Sequence, residues 1–551
     1  MTWYVTLDAD SYEAAREGFE WDLPEGYDAV WNVLGKHENP DERVALYQAY
    51  PDGRRETYTF ADLDAESSRM ANALAERGVG FGDRVGIVLP QKPANPVTHL
   101  ACWKLGAVSI PLSVLFGEDG LGYRLRNGGA SVVVCDASMT GTVERVRGDC
   151  PALEHVVEVD GGDAPDGDVE PYGAVLDGQP ATHERADVGA DTPATIVYTS
   201  GSTGDPKGVL HTQGSWVGHC PGYQMYFERD VLEKSVVWTP ADWAWLGALA
   251  DAVFTTWHYG RPIVGYPAGK FDPETALSLM DEFGVTDTFL PPTAIRMMMD
   301  VEAPAERYDL ELDAICSGGE PLTSDILEWA DAELEGVVVN EFYGQTEANM
   351  LCVNCQGWFE ARPGSMGKVP PGREVAVVDG ETGEELPAGE VGEIAVDHTT
   401  DDPIVFEEYW RMPDETGATR VGRWHLTGDL GYRDGDGYFW YKARADDVII
   451  TSGYRVGPGE VEDAVLEHPA VAQVGVIGVP DDTRGEVIKA FVELRRGADP
   501  SDALREEIRD VVRDRLAKYE YPREIEFMDE LPQTTTGKIR RVALREYEGL
   551  N

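Results

Sequence analysis

Positive charge is scarce in this chain. Against 100 Asp and Glu it carries 46 Lys and Arg, mostly Arg, for a formal net charge of -54. Such a surface repels phosphate backbones and anionic lipid, which excludes nucleic acid and membrane surfaces as natural partners. The acidic excess is spread along the sequence. Its densest pieces, Asp160–Glu170 and Asp502–Asp514, read as a loop and a solvated helix face. We expect adaptation to a high-salt cytoplasm, where screening removes the self-repulsion. Cysteine is sparse too: seven in number, scattered, with only Cys352 and Cys355 in a C-x-x-C spacing. With no second pair and no His at ligand spacing, no zinc site is expected, and the two thiols read as incidental on a loop wall. No apolar run approaches a membrane span, and no basic-then-apolar leader opens the chain, so the expectation is a soluble, cytoplasmic protein.

What is present is a long chain with ample core. Its 551 residues, 42% of them hydrophobic and 14 of them Trp, suit an enzyme-sized globular protein, with roughly three or four domain-sized units as a prior. The most informative stretch is Tyr198–Val209, which follows the β-branched run Ala194–Val197. Hydroxyls, glycines, a Pro and a Lys after a strand make a phosphate holder: glycines let backbone N–H groups approach an anion, and Lys adds charge. It is not a Walker loop, because Pro206 precedes Lys207 and Gly208 follows it.

Around that stretch, strand and helix patterns alternate from Arg84 to Val159 at the spacing of a parallel sheet covered by helices. Further strands are predicted at Ser235–Trp238, Thr286–Leu290, Asp313–Cys316 and Val337–Asn340. The last two open into Ser317–Pro321 and Glu341–Glu347. Loops beyond the carboxyl ends of strands are where α/β proteins bind ligands. Trp243 and Trp245 beside Gly247 suit either a pocket wall or a core. From Gly367 the pattern turns to hairpins of a small β subdomain. Beyond Arg444–Asp447 lies a compact α+β unit. Residues 1–30, aromatic and acidic, suggest no role.

Taken together, Tyr198–Val209, Ser317–Leu322, Glu341–Glu347, Thr427–Asp429, Arg444–Glu462 and Pro532–Arg541 resemble, in order and spacing, the motifs of the acyl-adenylate-forming superfamily. Medium-chain acyl-CoA synthetases are the most similar branch. The resemblance implies an α/β fold: a large N-terminal domain (1–443) of parallel sheets covered by helices with a small β subdomain, a hinge (444–447), and a small mobile α+β C-terminal domain (448–551). It implies ATP, Mg²⁺ and coenzyme A as reactants and cofactor, and an ATP-dependent acid–thiol ligase activity. Thr199, Ser200, Gly201, Ser202, Thr203, Gly204 and Lys207 would hold the β- and γ-phosphates. Gly319, Glu320 and Pro321 would flank adenine, with Tyr343 also in the nucleotide site. Thr346 would contact the α-phosphate, Glu347 would help hold Mg²⁺, Asp429 would accept the ribose hydroxyls and Arg444 would lie near them. Lys538 would bridge acyl carboxylate and α-phosphate, and is the main catalytic residue beside Thr346 and Lys207. Asp446 matches the hinge, and Ser452, Gly453 and Tyr454 the coenzyme A passage.

The acyl pocket is assigned by the same resemblance to Trp245, Gly247, Gly318 and Gly344. Acetate-type members carry Trp where Gly344 sits, so Gly there is expected to leave the pocket open for medium-chain, branched or aromatic acids. Three alternatives stay open: an acetyl- or propionyl-CoA synthetase, an acyl-AMP ligase with another acceptor, and a non-catalytic nucleotide binder. The last is expected to lack Lys538 or Glu347, and both are present.

Overall fold

A computed structural model describes the chain apart from residues 1–4, 25, 162–167, 200–204, 230–234, 320–321, 323, 446, 452–453, 482–483, 517–519, 534–538 and 551. The chain divides into two compact units. One takes in Met1–Gly201, Asp205–Val375 and Val396–Ala418; the other Ala376–Ala395 and Thr419–Asn551.

Two mainly parallel sheets form the first unit. The seven-stranded sheet runs, in spatial order, Val169–Pro171, His155–Val159, Val132–Asp136, Arg84–Val88, Val108–Pro111, Pro193–Thr199 and Lys207–Thr212. All pairings are parallel except the last. Its central strands are continuous apolar runs, with Val132–Asp136 buried throughout, as strands covered on both faces must be. The eight-stranded sheet runs Cys352–Val353, Val338–Tyr343, Ala314–Gly318, Asp287–Phe289, Val237–Trp238, Ile263–Gly265, Val44–Ala49 and Arg55–Thr59, antiparallel only at its two ends. Helix boundaries follow local chemistry. Phe60–Glu76 begins at a reciprocal capping box between Thr59 and Asp62. Pro273–Phe283 begins at Asp272 and ends at Gly284, whose φ is +58°.

Around the strand Val237–Trp238, which falls within the predicted Ser235–Trp238, lie helices that the sequence pattern did not show, at Ser215–Gly218, Cys220–Tyr226, Leu246–Ala248 and Thr255–His258, with a π-helical turn at Leu249–Phe254. Trp243 lies in the core while Trp245 is half-buried, so the two indoles divide between the two readings. The N-terminal residues, given no role above, form a strap. Leu7 N–H donates to Gln224 Oε1 (3.0 Å), Tyr12 OH to the Val369 carbonyl (2.9 Å) and Trp21 Nε1 to the Gly372 carbonyl (2.9 Å).

The second unit contains a five-stranded sheet built from Val375–Val378, Gly392–Asp397, Trp424–Arg433, Arg420–Val421 and Phe439–Arg444, followed by a second sheet. There Val471–Asp481 and Gly485–Leu494 pair antiparallel, and Glu524–Met528 adds in parallel. Helices Pro458–Leu466 and Asp502–Arg515 bury Val461, Val465, Ile508 and Val512 in this unit's core with Val476 and Val492. Among the described residues no helix is long and apolar enough to cross a membrane. All seven cysteines, Cys352 and Cys355 included, are buried and free. No group of three or more metal-ligating side chains occurs among the described residues.

Candidate active site

The phosphate-loop stretch is a hairpin rather than a strand-to-helix turn. Pro193–Thr199 pairs antiparallel with Lys207–Thr212, and Thr199 stands opposite Lys207. Ser200, Gly201, Ser202, Thr203 and Gly204 lie outside the described residues. The outer edge of Lys207–Thr212 also pairs with residues 407–410: Leu210 N–H donates to the Glu408 carbonyl (3.0 Å) and Trp410 N–H to the Gly208 carbonyl (2.6 Å). This second pairing brings in groups that sequence reasoning missed. Lys207 Nζ is 2.6 Å from Glu415 Oε2 and 4.9 Å from the centre of the Tyr409 ring. Tyr409 OH donates to Glu347 Oε1 at 2.6 Å. Lys207 and Glu347, assigned to phosphate and metal, are thereby linked through one phenol. No local pattern marks Tyr409 or Glu415, because the pairing spans about two hundred residues of sequence.

Strands Ala314–Gly318 and Val338–Tyr343 lie side by side, with Gly318 opposite Phe342, so the loops after both leave the same end of the sheet. Gly319 has φ +91°, a conformation that favours glycine. Glu320 and Pro321 lie outside the described residues. Tyr343, Gly344, Gln345, Thr346 and Glu347 are all partly exposed on a tight turn closed by Gln345 N–H to the Ala348 carbonyl (3.0 Å). Behind Thr346 sits buried His211. Burial pushes its pKa down to about 4, opposed by the Thr346 backbone. Its ring is therefore neutral near neutral pH.

The pocket glycines differ from one another. A Cβ on Gly344 would lie 2.4 Å from Met350 N, and one on Gly318 would lie 2.6 Å from the Phe342 ring. Both positions are closely packed, which is a sufficient reason for glycine at each. Gly247 differs: its nearest neighbours would be Phe289 at 3.6 Å and Asp251 Oδ2 at 3.7 Å, ordinary contact distances. Trp245 stands edge-on to Phe116 at 6.2 Å.

In the second unit Asp429 and Arg444 face each other on paired strands. Asp429 is buried, and Arg444 Nη1 lies 3.2 Å from its Oδ1 and donates to the Thr427 carbonyl at 3.0 Å. Asp429 N–H donates to Thr427 Oγ1 (3.1 Å), and Gly428, at φ +72°, directs its N–H to Glu393 Oε1 (2.9 Å). Two further groups escaped sequence reasoning: Arg541 pairs with Glu462 (2.5 Å) and Asp447 (3.1 Å), and Arg545 with Asp447 (2.8 Å). Asp447 stands next to Asp446, which, with Ser452, Gly453 and Lys538, lies outside the described residues. Tyr454 opens the strand Tyr454–Val456, paired with Ile449–Thr451.

Residues 35–410 match the AMP-binding enzyme family, and residues 460–538 match the AMP-binding enzyme C-terminal domain. The chain belongs to the AMP-binding enzyme family. It is 36% identical to acyl-coenzyme A synthetase ACSM4, mitochondrial, of Mus musculus, over 99% of this chain and 94% of that one. It is 38% identical to the acetyl-coenzyme A synthetase of Bacillus subtilis (strain 168), over 94% and 90%. Among solved structures, this AMP-binding enzyme superposes on the anthranilate CoA ligase AuaEII in complex with anthranoyl-AMP. The TM-score is 0.86 at 30% identity, covering 96% of this chain and 98% of that one. The fold expected from sequence, α/β with parallel sheets in a large N-terminal domain and a small C-terminal domain, is the fold of this family.

Proposed function

We propose that this AMP-binding enzyme is an ATP-dependent acyl-CoA synthetase. An acid's carboxylate oxygen attacks the α-phosphorus of ATP, and the bond to the bridging oxygen breaks to release pyrophosphate. Coenzyme A, as thiolate, then attacks the acyl carbon and expels AMP. The observation that carries this reading is the Lys207–Tyr409–Glu347 link beside the phosphate-loop hairpin. It sets a cation and a hard oxygen donor a phenol's width apart, where a nucleotide's phosphates and their counter-ion need them. Glu347 suits Mg²⁺, which binds through one or two carboxylates plus substrate phosphates rather than a full protein cage. When bound, that ion would neutralise charge on the pyrophosphate. The nearby relatives, named for acyl, acetyl and anthranilate substrates, support the reaction class rather than one acid.

In this reading Thr346 contacts the α-phosphate, Asp429 the ribose hydroxyls with Arg444 nearby, and Gly319–Pro321 and Tyr343 flank the base. Lys538 acts in adenylation, Ser452–Tyr454 in thioester formation, and the small C-terminal domain exchanges these tasks at Asp446. The acid is medium-chain or of similar size, and the enzyme works in a salt-rich cytoplasm. ATP–pyrophosphate exchange over a panel of acids, with and without coenzyme A, tests the whole. Acid-dependent exchange with acyl-CoA formation supports it. Exchange without any transfer to coenzyme A would make the chain an acyl-AMP ligase, and no exchange would sink the reading. Lys538→Ala is expected to lose exchange yet still convert supplied acyl-AMP to acyl-CoA. Loss of both half-reactions in a folded variant contradicts that role.

A further inference from the structure

The proposed acyl pocket does not end in hydrocarbon. Gly247 is partly exposed, and its missing side chain leaves Asp251 Oδ2 within 3.7 Å of where a Cβ would sit. The surroundings are aromatic: Phe289 stands 5.7 Å from Phe342, and Phe342 stands 6.0 Å from Tyr226. A carboxyl group in such a wall is costly to bury, and its side chain is only 1% exposed. The backbone here is specialised as well. Asp251 lies in the π-helical turn Leu249–Phe254, a geometry often found at functional sites. The carbonyls it loosens are taken up by side chains: Tyr226 OH donates to the Asp251 carbonyl (2.5 Å) and Thr255 Oγ1 to that of Ala250 (2.6 Å).

The hydrogen bonds around Asp251 fix the orientation of its carboxyl group. Its Oδ2 accepts from Asn349 Nδ2 at 2.7 Å. Its Oδ1 has no hydrogen-bond donor among the described residues and faces His219 Nε2 at 3.6 Å. His219 Nδ1 lies 2.7 Å from the Ser215 carbonyl, which only accepts, so Nδ1 carries the ring proton. Burial drives the Asp251 carboxyl well above the carboxylate range and His219 well below its usual value. Oδ2 commits one lone pair to Asn349, leaving the other for a further donor, and it is the oxygen that comes within 3.7 Å of a Cβ at Gly247.

That oxygen asks for a donor. An alkyl chain end leaves its lone pair desolvated without a partner, and a second carboxylate offers only acceptors. An ammonium group would meet the field of buried Arg373, which pairs with Asp402 at 3.3 Å and donates to the carbonyls of Met350 and Gly218. A hydroxyl fits. We propose that Asp251, oriented by Asn349 and reached over Gly247, is a specificity-determining residue that accepts a hydrogen bond from a hydroxyl on the acyl chain, so that the enzyme activates a hydroxy acid. This rests on the synthetase reading above.

The test is kcat/KM for acyl-CoA formation, together with ATP–pyrophosphate exchange. The probes are hydroxy acids of three to six carbons, with the hydroxyl at the last or next-to-last carbon. Each is set against the straight-chain acid with the same number of non-hydrogen atoms. The native enzyme is expected to favour at least one hydroxy acid over its match by about tenfold or more. In Asp251→Leu that ratio should fall to about one or below, while Asp251→Asn, which keeps an acceptor oxygen, should retain part of it. Because Asp251→Leu strands Asn349 and can fail to fold, Gly247→Ala serves as a second variant. Its methyl has ordinary contact distances and covers Oδ2, so it too should lower the ratio. Preference for the straight-chain acid in every pair would overturn the proposal, as would an unchanged ratio in Gly247→Ala and a folded Asp251→Leu. No exchange with any acid would overturn the synthetase reading along with it.

Discussion

Lys36 and Lys207 are held in opposite ways. Lys207 meets Glu415 at the rim of the phosphate-loop hairpin. Lys36 is buried, its Nζ 2.8 Å from Asn32 Oδ1 and 3.2 Å from His258 Nδ1. Burial lowers the Lys36 pKa from 10.5 to about 7, Cys220 opposing. The folded state therefore binds fewer protons than the unfolded one between these values. Stability rises with pH across that window, and the full cost is present below it. From about pH 7 to about pH 9.5 this one group should add about 3 kcal/mol. Urea unfolding at the two pH values should show that slope, and Lys36→Met should lack it. Asp429 offers a second test. If it holds the ribose, Asp429→Ala should lower kcat/KM for ATP by about a hundredfold or more. An unaltered KM for ATP would remove it from the nucleotide site. Neither Lys36 nor Asp251 was legible in the sequence. Asp251 is a lone charge in an apolar run and Lys36 one charge among several in a polar stretch, and the meaning of each depends on partners such as Asn349 and His258 that only folding brings near.

At the scale of elements, apolar runs that stop at glycine located the strands well. Ala314–Gly318 and Val338–Tyr343 begin within one residue of the predicted strands Asp313–Cys316 and Val337–Asn340. The helical stretch after Ser215 did not announce itself, because it is buried on every side and so has no polar face to set a period. The turn at Gly344 is where an element constrains a site most tightly. Gly344→Ala would drive a methyl into the Met350 backbone, 2.4 Å away, and should destabilise the protein by about 1–3 kcal/mol. Differential scanning calorimetry would show it as a fall in midpoint. A variant as stable as the parent would mean that the turn relaxes, and the glycine would then need another reason.

On the scale of the whole molecule, charge dominates. With a net charge of -54, repulsion acts over about 10 Å at 0.1 M salt and about 3 Å at 1 M. The unfolding midpoint is expected to climb by about 10 °C or more between those conditions. A midpoint independent of KCl would show that the surface acids are already neutralised by local pairing. The N-terminal strap anchored by Tyr12 and Trp21 has a different consequence, for synthesis. Its anchors at Val369 and Gly372 are translated more than three hundred residues after Tyr12. At about 5–20 residues per second a ribosome needs roughly 20–75 s to reach them. For all that time Tyr12 and Trp21 lack the carbonyls to which they donate in the folded protein. Residues 12–21 thus settle only after the segment around Val369–Gly372 has been made, and until then their aromatic side chains are open to a chaperone's cover.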